Sequence, residues 1–126
     1  MRYTVLATFM ALIAYNWFFI KVALARRQFN IKAPKITGDE AFERIFRVQQ
    51  NTAEQLVFFL PSLWLCGFYT SDPLAGLFGL IWTAARVLYA ADAYASSGRH
   101  GYGAMISWCV AFMLLIGGTI GALLAG

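Results

Sequence analysis

The chain has 126 residues, 60% hydrophobic and only 13% charged, with a net charge of +4. A soluble domain of this size carries about 25% charged residues, so a water-dissolved globule is a poor fit. With one histidine and two cysteines, Cys66 and Cys109, at no ligand spacing, the chain offers no metal cluster, and both cysteines read as small buried hydrophobes rather than catalytic thiols. Paired-carboxylate, Ser-His-Asp, P-loop and dinucleotide-binding signatures are also missing from the sequence.

Four apolar blocks, roughly 3–25, 41–69, 73–95 and 103–125, occupy most of the chain. Each is long enough to cross a ~30 Å hydrocarbon core at ~1.5 Å per residue. Only short loops are left over, which predicts one all-α integral membrane domain over residues 1–126, with helices near 3–26, 38–69, 73–96 and 101–125. No internal repeat is visible.

The first block resembles a signal peptide in having Arg2 ahead of an apolar run and Ala23-Leu24-Ala25 after it. The run exceeds a 7–15-residue signal core, however, and a cleaved chain would begin with Arg26-Arg27, so a retained helix is expected. That helix should end near Arg26-Arg27, followed by a polar loop Gln28–Gly38 that contains Pro34. Thr37-Gly38-Asp39-Glu40 reads as a capping box, with Thr37 as N-cap.

The second helix opens on a polar stretch, Phe42-Glu43-Arg44-Ile45-Phe46-Arg47-Val48-Gln49-Gln50-Asn51-Thr52-Ala53-Glu54. Charged and amide groups survive beside lipid mainly when they face a protein interior. Arg47, Asn51 and Glu54, spaced i, i+4, i+7, fall on one helical stripe and form a socket suited to a small zwitterion. Pro61 lies well inside this helix as an expected kink.

Pro73 suits the first turn of the third helix, and Ser96-Ser97-Gly98 should end it. A tight turn near residue 71 makes helices two and three antiparallel. That places Glu54 level with residue 88, beside Arg86 and Tyr89, and Asn51 level with Ala91. Arg86 lies too deep for easy snorkelling, and Glu54, the only acid at that depth, is its expected partner. The bland reading is an interhelical clamp; it accounts less well for Arg47, Gln49, Gln50 and Asn51 along the same helix. In the fourth helix Gly117-Gly118-Thr119-Ile120-Gly121 offers a small-residue surface for close packing, as do Gly76 and Gly79 in the third.

Lys21, Arg26, Arg27, Lys32, Lys35, Arg44 and Arg47 flank the first loop and Arg99 the third, whereas the second loop has no Lys or Arg. The positive-inside rule therefore places loops one and three in the cytoplasm and both termini outside. The host membrane would be the inner membrane of a bacterium or the endoplasmic reticulum of a eukaryote.

The segment Phe42–Glu54, together with Ala25-Arg26-Arg27-Gln28-Phe29 and Ala85-Arg86-Val87-Leu88-Tyr89, resembles the MAPEG proteins, membrane-associated proteins in eicosanoid and glutathione metabolism. The likeness covers nearly the whole chain and is greatest for the branch of leukotriene C4 synthase and certain microsomal glutathione S-transferases. It implies a homotrimer of four-helix subunits that binds glutathione between neighbours near the cytoplasmic side, with membrane lipids and a hydrophobic electrophile as the other partners, and no nucleic acid or metal. On this resemblance Arg47, Asn51, Glu54, Arg86 and Tyr89 bind glutathione, with Arg26 and Gln49 reaching it from the adjacent subunit. Arg27 lies near the hydrophobic substrate, and Arg99 corresponds to the catalytic arginine that stabilises the thiolate, with His100 its neighbour.

Two positions depart from the family pattern. A tyrosine following the glutamate in several members is Gln55 here. A second tyrosine of the third helix, expected at Ala93, is displaced to Tyr94, which is carried as a glutathione contact. The implied activity is transfer of the glutathione thiolate to apolar electrophiles, with lipid-hydroperoxide reduction drawing on the same thiolate. The alternative is a non-enzymatic trimeric lipid-binding scaffold; retention of Arg47 and Glu54, which the lipoxygenase-activating relative lacks, favours the enzyme. A channel or transporter is weaker, since no broken-helix pair is seen.

Overall fold

The computed structural model describes residues 1–96 and the chain from His100 onward, for His100 the backbone alone. Four helices follow one another: α1 Arg2–Phe29, α2 Glu40–Tyr69, α3 Asp72–Tyr94 and α4 His100–Ala125. The four-helix expectation is met, with ends shifted by a few residues for identifiable reasons.

α1 runs past the arginine pair because its stop is Asn30, which takes the left-handed conformation (φ 56°, ψ 45°) that asparagine tolerates. The Asn30 and Ile31 amides both return to the Arg26 carbonyl and close the last turn. α2 is capped by Asp39, not Thr37: the Asp39 carboxylate accepts from the Ala41 and Phe42 amides at 2.8 and 3.2 Å. Gly38 takes φ +130°, a conformation that favours glycine, immediately before the Asp39 cap. Pro61 is accommodated inside a continuous α2, and the Ser62 hydroxyl donates to the Phe58 carbonyl at 2.8 Å. Pro73 does occupy the first turn of α3, behind an Ser71 cap.

α2 and α3 form the central pair. Each touches all three other helices, while α1 and α4 share no contact among the described residues. The apolar core is built on Phe59, Leu63 and Trp82, which are fully buried with Ala7, Ala11, Ala111 and Leu114 around them. Glycines permit the helices to approach to backbone contact. A Cβ on Gly118 would lie 2.6 Å from the Cys66 amide nitrogen of α2, and one on Gly103 2.6 Å from the Ala85 carbonyl of α3. Gly76 and Gly79 press likewise on Tyr3 and Ala7 of α1, whereas Gly117 faces open space.

At the far end, α1 has no side-chain cap of its own. Asp72 supplies one from α3, accepting from the Tyr3 and Thr4 amides at 3.2 and 2.8 Å and from the Thr4 hydroxyl at 2.6 Å. Of the cysteines, Cys66 is buried as expected, but Cys109 is exposed on α4.

α1, α3 and Gly101–Ala125 of α4 are long and apolar enough to cross a membrane. α2 falls outside that group because its first half carries Glu40, Glu43, Arg44, Arg47 and Glu54, although no charge follows Glu54 in it. Large apolar side chains such as Phe9, Phe19, Phe68 and Met105 are more than half exposed, a surface suited to lipid or to neighbouring chains rather than water.

Candidate functional site

Successive residues of a helix turn by about 100°, so the polar stretch of α2 distributes itself over three directions. Val48, Thr52, Leu56, Phe59 and Leu63 point into the bundle and are buried. Arg47 and Glu54 point the opposite way and are exposed, and neither makes a hydrogen bond or ion pair among the described residues. Asn51 and Gln55 turn toward α3, and Gln49 toward α1.

Arg86 lies beneath this surface at 1% exposure. The carboxylate expected to neutralise it is absent from its contacts. Thr52 on α2 accepts from its Nε and Nη2 at 3.3 and 3.0 Å, and Ser107 on α4 accepts from Nη1 at 3.0 Å. The guanidinium carbon also lies 4.4 Å from the Tyr89 ring centroid. Glu54, two residues beyond Thr52, is rotated by about 200° and cannot share that inward direction. The expected Glu54–Arg86 ion pair is thus replaced by a neutral hydroxyl clamp spanning three helices. Asn51 Nδ2 donates to the Tyr89 hydroxyl at 2.8 Å, which ties α2 to α3 beside the clamp.

Glu54 and Arg86 nevertheless line one cleft of about 290 Å³, shared with Asn51, Gln55 and Ala104. A second cleft of about 310 Å³ adjoins it, lined by Ile36, Thr37, Glu43, Phe46, Arg47, Gln50, Asn51 and Glu54. Asn51 and Glu54 belong to both, so the two form one groove from the first loop toward buried Arg86. Its side chains present two guanidinium groups, the Glu43 and Glu54 carboxylates and several amides. A ligand with carboxylates and an ammonium group would find opposite charge at each end.

The remaining expected site residues lie elsewhere in the chain. Arg26 and Gln49 share a separate groove of about 200 Å³ with Phe19, Val22, Ala23 and Phe46, on the α1 side of α2. Arg26 Nη1 donates to the Lys35 and Ile31 carbonyls at 2.6 and 3.5 Å, tying down the first loop, and Gln49 donates to the Tyr15 hydroxyl at 2.9 Å. Arg27 is exposed on α1. Tyr94 faces α1: its hydroxyl is buried without a hydrogen-bond partner among the described residues, and Lys21 Nζ lies 4.9 Å from its ring centroid. The one-residue displacement from Ala93 has carried it about 100° around α3, away from Asn51 and Arg86. Arg99 lies outside the described residues. Sequence reasoning passed over Thr52 and Ser107, which looked like ordinary small polar residues in apolar runs; only the crossing of α3 and α4 brings Ser107 under Arg86.

The chain is similar over most of its length to known proteins. The MAPEG family profile matches residues 4–124. The chain is 36% identical over 118 residues to an uncharacterised Synechocystis protein, covering 94% of this chain and 86% of that one. It is 33% identical to leukotriene C4 synthase of Rattus norvegicus, covering 86% of this chain and 72% of the enzyme. It is 31% identical to microsomal glutathione S-transferase 2 of Bos taurus, covering 86% and 74%. With four helices, three of them apolar enough to span a bilayer, and an arginine-, glutamate- and amide-lined groove, the chain belongs to the MAPEG family.

Proposed function

We propose that this protein is a membrane-bound glutathione transferase that joins the glutathione thiolate to hydrophobic electrophiles. The observation that carries the reading is the groove of α2: Arg47 and Glu54 stand at its wall unpaired among the described residues, with a buried guanidinium, Arg86, at its deep end. Glutathione has two carboxylates and one ammonium group. Arg47 and Arg86 suit the carboxylates, Glu54 the ammonium, and Asn51, fixed by Tyr89, a polar contact between them.

Exposed charges halfway along a helix packed among membrane spans need another protein surface. A homotrimer of four-span subunits, loops one and three in the cytoplasm, meets that need. The separate Arg26–Gln49 groove then faces a neighbour's site and completes the glutathione cradle. The thiol of glutathione starts near a pKa of ~8.5, so little is thiolate at neutral pH. A guanidinium beside the sulfur, assigned to Arg99, favours the anion; a two-unit fall corresponds to roughly 2.7 kcal/mol. The thiolate attacks an apolar electrophile admitted from the lipid side near Arg27, forming a carbon–sulfur bond and expelling the electrophile's leaving group or opening its ring. A hydroperoxide presented there would instead accept reducing equivalents from two thiols, giving alcohol, water and glutathione disulfide.

The second reading, a lipid-binding scaffold of the same fold, draws on the internal satisfaction of Arg86 by Thr52 and Ser107, which also suits a purely structural clamp. Calorimetry with glutathione and turnover of a generic aryl halide separate the two. Saturable binding, lost in Glu54→Gln while trimers persist, supports the transferase. A protein that binds no glutathione is the scaffold.

A further inference from the structure

Gln55 occupies the position where several relatives carry tyrosine, and its amide is oriented by its neighbour. Trp82 is fully buried and stacks face to face on Phe59, with ring centroids 4.0 Å apart and planes 6° from parallel. An indole N–H can only donate, and Trp82 Nε1 donates to Gln55 Oε1 at 3.3 Å. A rigid donor therefore fixes which end of the Gln55 amide is which. Oε1 is committed to the tryptophan, and the Nε2 group, with two N–H donors, has no partner among the described residues. Gln55 lines the same cleft as Asn51, Glu54 and Arg86.

We infer that Gln55 is a ligand-binding residue of the glutathione groove, donating from Nε2 to an acceptor oxygen of the bound peptide, and that Trp82 is the positioning residue that holds this polarity. The inference rests on the glutathione reading above. The other polar side chains around the cleft have complementary duties: Glu54 can only accept, Asn51 spends a donor on Tyr89, and three of the Arg86 donors are taken by Thr52 and Ser107. Gln55 is thus a neutral group of the cleft with both amide donors uncommitted among the described residues, and its direction does not depend on pH.

The test uses the purified full chain in detergent, with glutathione binding followed by calorimetry. Gln55→Glu keeps an acceptor for the Trp82 N–H, so thermal unfolding should match wild type. It replaces the free donor by an anionic acceptor, so affinity should fall about tenfold at neutral pH. The gap to wild type should narrow as pH falls to about 4, past the ordinary glutamic acid pKa of ~4.3, where the introduced carboxyl gains a proton and can donate again. Trp82→Phe keeps the stack but releases the amide to two orientations, weakening binding about twofold through the halved competent population. A smaller Gln55→Glu penalty with glutathione esterified on its glycine carboxyl identifies that carboxylate as the acceptor; an equal penalty assigns a peptide carbonyl. Wild-type binding with no loss in Gln55→Glu, or a loss that pH does not alter, overturns the inference alone. Failure of wild type to bind glutathione overturns the parent reading as well.

Discussion

Replacing Thr52 by valine tests the hydroxyl clamp with almost no change of shape. Thr52 is fully buried, and its single oxygen accepts two of the Arg86 donors at 3.0 and 3.3 Å. Valine fills the same volume, so no cavity term enters, and the cost is that of two unmet donors on a buried cation. A hydrogen bond to a charged group contributes about 1.5–3 kcal/mol, and two bonds to one oxygen count for less than twice that, so about 2–3 kcal/mol should be lost. Ser107→Ala removes one bond and should cost about 1.5 kcal/mol. In an Arg86→Met background the donors are gone, and Thr52→Val should then cost under about 0.5 kcal/mol, which leaves a coupling of roughly 2 kcal/mol. Reversible unfolding in mixed micelles with increasing sodium dodecyl sulfate, followed by far-ultraviolet circular dichroism, measures all four corners of the cycle. An equal Thr52→Val cost in both backgrounds would show that the hydroxyl does not serve Arg86, and the clamp would have to be abandoned.

Three further outcomes are expected. Gly118→Val drives a branched side chain into the backbone at Leu65 and Cys66, where even a Cβ would be 2.6–2.7 Å away. It should therefore cost at least about 2–3 kcal/mol in the same unfolding assay, while Gly117→Val, facing open space, should be near neutral. Asp72→Ala removes the acceptor shared by Tyr3 and Thr4, so amide hydrogen exchange in the first turn of α1 should quicken while the middle of α2 stays protected. Tyr94→Phe deletes a buried hydroxyl that has no partner among the described residues; it should leave stability unchanged or raised and glutathione affinity within twofold, and a large loss of affinity would return Tyr94 to the groove.

How much of this could be read from the residues differs between elements. Block lengths were enough to predict four helices, and the Arg47–Asn51–Glu54 spacing was enough to put those side chains along one cleft, because both depend on helical geometry within one segment. Helix ends depended on competition between adjacent candidates. Thr37 and Asp39 are both good caps, and Asp39, directly after the positive-φ Gly38, makes the bonds. The partner of Arg86 depended on something farther away, the rotation of α2 relative to α3 and the crossing of α4. Depth matching along antiparallel helices finds residues at the right level but not on the right side, so it chose the exposed acid two residues from the buried hydroxyl that makes the contact.

That distinction bears on what the groove can do. Had Glu54 paired with Arg86, the chain would have neutralised both charges internally and left little for a ligand. The hydroxyl clamp holds the guanidinium in place without cancelling its charge, since Thr52 and Ser107 are neutral acceptors. The carboxylate is correspondingly left open at the groove wall. A buried cation with no anionic partner among the described residues is costly unless something anionic arrives, so the arrangement favours a bound carboxylate over an empty groove. Stability and binding are therefore linked through Arg86. Saturating glutathione at a hundred times its dissociation constant should add about 2.7 kcal/mol to the unfolding free energy. The same excess over wild type's constant should add much less in Arg86→Met, a variant with no buried charge left for the ligand to neutralise. Equal stabilisation of the two proteins would place the ligand away from Arg86 and break the link between the clamp and the groove.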